Sequence, residues 1–190
     1  MTSFRPLVVL ALAAVWLAGR PASAAPAEII FLRHAEKPEK GAELNTQGWR
    51  RAAALPSLFE RDPRILTHGT PVAIYAGAPA KAGGSVRSIQ TMQATAKALH
   101  IPLIQSITRD QVDELVRTIL ASSAYEGKTV LVCWEHKKIP EMIRAFGWVN
   151  GPARWKENVF DRLWILDFKN GKPVHFQDDP QGLLPGDSIR

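Results

Sequence analysis

Ile29-Ile30-Phe31-Leu32 is an unbroken apolar run that ends abruptly in Arg33-His34, and the run from Thr129 to Trp134 ends in Glu135-His136. Arg87 stands between the two, behind a loop of small residues at 76–84, Ala-Gly-Ala-Pro-Ala-Lys-Ala-Gly-Gly. Short apolar runs of this kind predict buried strands, and in open α/β sheets ligands gather just outside the carboxyl ends of strands. Packing alone does not select guanidinium and imidazole groups there. Guanidiniums are planar, permanently charged donors that bind and neutralise the oxygens of a doubly negative phosphate, which suits Arg33 and Arg87. A neutral imidazole can attack phosphorus and carry it as a phosphohistidine, splitting one slow displacement into two easier ones; His34 is the expected nucleophile. A second, charged imidazole can donate to the equatorial oxygens as charge builds on them, which is the expected role of His136.

For these groups to meet, strands and helices must alternate, and they do. Strands are expected at 28–32, 72–75, 129–134 and 162–168, the last closing one edge of the sheet. Between them, apolar residues at helical spacing predict four helices. The first spans about 46–61, burying Trp49, Ala53 and Leu58, with Pro56 kinking or ending its regular part. The second spans about 85–99, with Ser85 as N-cap and Val86, Ile89, Met92, Ala96 and Leu99 facing the core. The third carries the stripe Val112, Leu115, Val116, Ile119 and Leu120, capped by Thr108 or Asp110. The fourth runs from Ile139 to Phe146, with Pro140 in its first turn and Gly147 as its stop. Alternation of this kind predicts a three-layer αβα fold, a mostly parallel sheet flanked by helices.

The ends of the chain and its charge bound the setting. Arg5, the apolar stretch at 7–18 and Ala22-Ser23-Ala24 have the form of a secretory signal with a small-residue cleavage site. The apolar stretch is shorter than the roughly 20 residues of a membrane-spanning helix. Residues 1–24 are therefore expected to be removed and 25–190 to form one catalytic domain, periplasmic or secreted, with no stable membrane span. Setting the leader aside removes Arg5 and Arg20 but no acidic residue, and the formal charge falls from +6 to +4. The basic residues are scattered, with only Arg50-Arg51 and Lys137-Lys138 adjacent in the domain, so a nucleic-acid partner is not expected, whereas a small phosphorylated substrate is. The single cysteine, Cys133, forms no intramolecular disulfide and belongs to a core strand. No two histidines stand at metal-ligand spacing.

Arg33-His34 resembles the Arg-His-Gly signature of the histidine phosphatase superfamily, and Arg87-Ser88-Ile89-Gln90-Thr91 is similar to its Arg-x-x-Gln-Thr helix start. The strand from Val130 to His136 resembles the one carrying the second histidine. The length resembles the small branch without a cap domain, phosphoglycerate mutase-like in fold. The resemblance implies a phosphohistidine on His34, a substrate pocket of Arg33, Arg87 and His136, and no metal or other cofactor. Two departures stand out. Ala35 replaces the glycine, which requires a negative φ at that residue. No proton donor stands where many members have one. Glu135 is the first candidate, although strand alternation turns Glu135 and His136 to opposite faces unless the strand has ended by then. Glu36, Asp110 and Asp113 are weaker candidates. Lys37 and Lys138 follow the two site histidines and read as solvated, and Trp134, Trp148, Trp155 and Trp164 read as core. The expected activity is hydrolysis of a phosphomonoester or phosphoramidate with a good leaving group. The alternatives are a phosphomutase and a non-catalytic module that binds phosphate or a glycan phosphate.

Overall fold

A computed structural model of the chain describes residues 25–188. The expected leader at 1–24 lies outside the described residues. Along the chain run β1 (Glu28–Arg33), α1 (Thr46–Arg61), β2 (Ala73–Ala76), α2 (Arg87–Leu99), β3 (Leu103–Ile104), α3 (Val112–Ala121), a 3-10 turn at Ser123–Tyr125, β4 (Thr129–Trp134), α4 (Ile139–Ala145), β5 (Arg162–Lys169) and β6 (Lys172–Pro180). They build one mixed six-stranded sheet in the order β3-β2-β4-β1-β5-β6, in which the first four are parallel and β5 and β6 antiparallel. Among the described residues no second domain interrupts it.

Side-chain alternation along β1 explains the layers. Ile29 and Phe31 point to one face, where Val116, Ile119, Met142 and Ile143 of α3 and α4 cover them. Ile30 and Leu32 point to the other, against Leu55, Phe59 and Met92 of α1 and α2. Strands covered on both faces read as continuous apolar runs, which is why β1 and β4 were visible in the sequence. β6 carried no such signal: in Lys-Pro-Val-His-Phe-Gln-Asp-Asp-Pro polar residues and prolines break any apolar run, and most stay partly or fully exposed at the sheet edge. β5 is therefore an interior strand, not the edge expected of it. The Asn170-Gly171 pair, both at positive φ, makes the tight hairpin between them.

Three helices differ in detail from expectation. Asn45 caps α1 by accepting from the Gly48 amide at 2.8 Å. The helix continues through Pro56 to Arg61, because Leu55, Leu58 and Phe59 on either side of the proline are all buried. Each such burial contributes about 1.5–3 kcal/mol, and together they exceed the roughly 3 kcal/mol that an interior proline costs. Trp49 and Ala53 face solvent, and the buried face instead holds Arg51 and Ala52. α2 starts two residues later than expected, with Val86 and not Ser85 at the N-cap, and turns Ser88, Thr91 and Thr95 inward beside Met92 and Ala96. Gln111 sits at the N-cap of α3 without a side-chain cap bond, since its amide oxygen accepts from both the amide and the hydroxyl of Thr108.

Gly48 brings the first turn of α1 onto the loop that follows β1: a Cβ there would sit 2.2 Å from the Glu36 carbonyl oxygen. Backbone on both sides leaves no flexible group to yield. Gly48→Ala is expected to destabilise the fold by about 2 kcal/mol, read from the denaturant midpoint, and an unchanged midpoint would contradict this contact.

Candidate active site

β1 and β4 lie side by side in parallel register, so their carboxyl ends deliver Arg33 and Trp134 to the same level of the sheet. The His34 amide extends the ladder by one bond, to the Trp134 carbonyl at 3.1 Å. β4 ends at Trp134, so the strict alternation that would have separated Glu135 from His136 has already stopped, and both line one cavity with His34 and Arg87. The cavity measures about 580 Å³. Its remaining walls come from residues 77–81, from Gly84, Ser85 and Ser88, and from Arg109, Lys37, Lys137 and Glu157.

His34 is 5% exposed, and its Nδ1 lies 2.7 Å from the Ala35 carbonyl oxygen. A carbonyl only accepts, so Nδ1 carries the proton and Nε2 keeps a lone pair. Burial pushes the His34 pKa down to about 4, with the positive charges of Arg33 and Arg87 adding to the effect, so the ring is neutral at neutral pH. Ala35 holds this geometry without a glycine. It is fully buried and not among the residues at positive φ, and its amide donates to Thr91 Oγ1 at 2.9 Å.

Arg33 is 1% exposed and lies behind the cavity lining, not on it. Its Nη1 donates to the carbonyls of Glu157 at 2.6 Å and Val159 at 3.2 Å, and its guanidinium carbon sits 3.8 Å from the centre of the Phe160 ring. Burial pushes its pKa down to about 10, which leaves it charged at neutral pH. Nε and Nη2 of Arg33 and Nδ1 of His136 are buried with no hydrogen-bond partner among the described residues. Unpartnered polar atoms of this kind are costly to bury, and the two guanidinium nitrogens are donors that an anion nearby would favour. Arg87, at the first position of α2, donates to the carbonyls of Glu43 at 3.2 Å and of Gly41. The conflict between its charge and the positive end of the helix dipole is unrelieved by any carboxylate bond.

His136 is 6% exposed, and burial, then the charge of Arg33, lowers its pKa below the ordinary value. Both effects favour the neutral ring, so a dianion beside it is needed to favour the imidazolium that would donate. Of the candidate acids only Glu135 faces the cavity, where its carboxylate accepts from Arg109 Nη1 at 2.9 Å. Glu36 is spent in a buried ion pair with Arg51 at 2.8 Å; Asp110 pairs with Arg109, and Asp113 is exposed on α3. Lys37 lines the cavity, while Lys138 turns away to Glu141 at 2.9 Å. Trp134, Trp155 and Trp164 are core, with Trp148 packed partly buried against them. Cys133 is fully buried, and burial keeps its thiol protonated. Among the described residues no cluster of His, Cys, Asp or Glu is arranged to hold a metal, and no helix is long and apolar enough to cross a membrane.

Lys81, Arg109, Lys137 and Glu157 were not singled out in the sequence. They come from turns that carry no periodicity, and only the topology brings them together. The residue that fixes Arg109 is Trp134, whose indole Nε1 donates to the Arg109 carbonyl at 3.0 Å.

The fold is phosphoglycerate mutase-like, a mixed-sheet α/β architecture shared with solved phosphatases and a mutase. A protein described as a phosphohistidine phosphatase, SixA, from Agrobacterium tumefaciens superposes with a TM-score of 0.55 at 17% identity, covering 80% of this chain and 98% of that one. The α-ribazole phosphatase of Shigella flexneri gives 0.53 at 10% identity over 77% and 93%. The phosphoglycerate mutase of Plasmodium falciparum gives 0.52 at 19% identity over 86% and 96%. No protein-family model and no curated protein sequence matches the chain.

Proposed function

We infer that this chain is an exported phosphatase that hydrolyses a phosphomonoester or phosphoramidate through a phosphohistidine on His34. The observation that carries the reading is the His34 ring, buried, neutral, and fixed by the Ala35 carbonyl with Nε2 as its only lone pair. Nε2 attacks phosphorus, the bond to the leaving oxygen or nitrogen breaks, and that atom takes a proton from Glu135 or from water. Water then attacks the phosphohistidine, releasing inorganic phosphate and restoring the neutral imidazole. Arg87 supplies charge and donors to the phosphoryl oxygens, Arg33 adds its charge from behind the cavity wall, and His136, protonated beside the dianion, donates as negative charge accumulates. Transfer to water fits an exported protein, whereas a mutase would need a second substrate hydroxyl in the same cavity.

Brief reaction with a ³²P-labelled phosphoester followed by alkaline quench tests the mechanism: base-stable, acid-labile label on the chain, absent from His34→Ala, is the expected result. Turnover without such label overturns the covalent step, and neither label nor turnover leaves only a binding module.

Glu135 is the one candidate acid on the cavity wall, where Arg109 Nη1 donates to its carboxylate at 2.9 Å. Glu135→Gln is expected to slow hydrolysis of an alkyl phosphate by about 10²-fold and of p-nitrophenyl phosphate, whose leaving group needs no proton, by far less. Equal losses on both would remove Glu135 as the acid.

A further inference from the structure

Charge is unevenly distributed around the cavity. Five cationic side chains line it, Lys37, Lys81, Arg87, Arg109 and Lys137, against two carboxylates, Glu135 and Glu157, for a net charge of +3. Among the described residues, Arg109 is the one of these five that is ion-paired, with Glu135 at 2.9 Å and Asp110 at 3.3 Å. The three lysines have no ion-pair partner among the described residues, and they come from different places: just after β1, the tip of the loop at 77–84, and the turn after β4. Arg33 adds one more buried charge directly behind His34. Like charges gathered in a concave site raise its potential and repel one another unless an anion enters.

A phosphomonoester dianion carries at most about two negative charges, and it occupies the ground between His34, Arg87 and His136. It neutralises about half of the total. The lysines are left over, on the rim of a cavity whose 580 Å³ lies within the range that holds ligands well beyond the size of a phosphate. None of the cavity-lining residues is Phe, Tyr or Trp; apart from the imidazoles its uncharged wall is glycine, alanine, proline and serine. A nucleobase is ordinarily held by stacking on aromatic rings, and nothing here offers that.

We propose that the substrate is a compact, non-nucleotide phosphoester bearing a second anionic group, and that Lys37, Lys81 and Lys137 hold that group while the first phosphoryl reacts at His34. This rests on the phosphatase reading and narrows it to a substrate class, polyanionic sugars or polyols. General electrostatic steering is the competing account of the same charge, and it favours the two members of a substrate pair by long-range attraction that salt removes, without needing these lysines in contact.

Phosphate release from p-nitrophenyl phosphate by the wild-type chain tests the phosphatase reading alone. The present inference is tested by calorimetric binding of fructose 1,6-bisphosphate and fructose 6-phosphate to the His34→Ala chain, with and without Lys37→Met, Lys81→Met and Lys137→Met together. The lysines are exposed or half-buried, so the triple change is expected to fold. The bisphosphate is expected to bind about tenfold more tightly than the monophosphate at physiological salt, and the triple variant to lose most of that ratio. Equal affinities, a preference that survives the triple substitution, or no binding of either sugar phosphate would each overturn the inference, whatever the outcome with p-nitrophenyl phosphate.

Discussion

His34→Ala is expected to lower turnover of p-nitrophenyl phosphate by roughly 10⁴-fold or more, because the variant loses the atom that forms the covalent bond and no neighbour replaces it. His136 is the nearest chemical substitute, but its role is to donate, and its unpartnered Nδ1 is buried beside Arg33 and not presented by a backbone carbonyl as His34 is. The substitution carries a second signature. The His34 pKa is held at about 4 in the folded protein, against roughly 6.5 in the unfolded chain, so the folded state resists protonation. As pH falls from about 6.5 toward 4 the unfolded chain takes up this proton and the folded one does not; stability present above pH 6.5 is lost through that window, on the order of 3 kcal/mol from this residue. The variant lacks the group and is expected to lose correspondingly less across the same interval in urea titrations. Residual activity within tenfold of wild type would remove His34 as nucleophile, and identical pH slopes would remove the buried neutral ring.

The part of the site written in β1 and β4 was legible because both strands are covered on two faces. An unbroken apolar run there admits no polar residue, so Arg33-His34 and Glu135-His136 stand out at its end. Arg87 was legible for a related reason, as a cation at a helix start where the dipole disfavours it. What was hidden depended on tertiary contact. Trp49 looked like core, yet it is 45% exposed, while Arg51, noted only as one of two adjacent arginines, is 2% exposed. Helical spacing cannot distinguish a face rotated by one position when a buried charge finds its partners from elsewhere in the chain. Arg33 was expected to face substrate directly. The carbonyls that hold it belong to the irregular segment between α4 and β5, for which the sequence offers no period to read. The lysines of the rim share that origin, and exposed lysines on turns read as solvated until the turns are placed around a common cavity.

Removing Arg51 is expected to cost about 3–5 kcal/mol, the range for leaving a buried charge without its partner. Its guanidinium is fully used: Nε and Nη2 bind the Glu36 carboxylate at 2.8–3.1 Å, Nη1 and Nη2 bind Asp187 at 3.0 and 2.7 Å, and Nη1 also reaches Gln181 Oε1 at 3.0 Å. Burial alone would lower the Arg51 pKa, but the two carboxylates hold it above the ordinary value; burial would likewise raise Asp187, yet Arg51 and the amides of Leu183 and Leu184 hold it below. The network fastens the C-terminal segment to the loop that leaves His34, since Glu36 follows the nucleophile by two residues. Arg51→Met brings two buried carboxylates together with no cation between them, and the sign of the pH response should reverse. In the wild type the depressed Asp187 pKa contributes stability that is present above its unfolded value and lost as pH falls through the folded one. In the variant the raising effect of burial on Asp187 is no longer offset by Arg51, so its contribution becomes greatest at low pH and is lost as pH rises. Arg51→Lys keeps the charge but not the two-pronged geometry, and should recover part of the stability and little of the geometry around Glu36. Urea midpoints across pH 4–7 read the stability effect, and turnover of the folded fraction reads the displacement of the His34 loop. A variant that keeps both wild-type stability and wild-type turnover would show that this strap does not position the nucleophile.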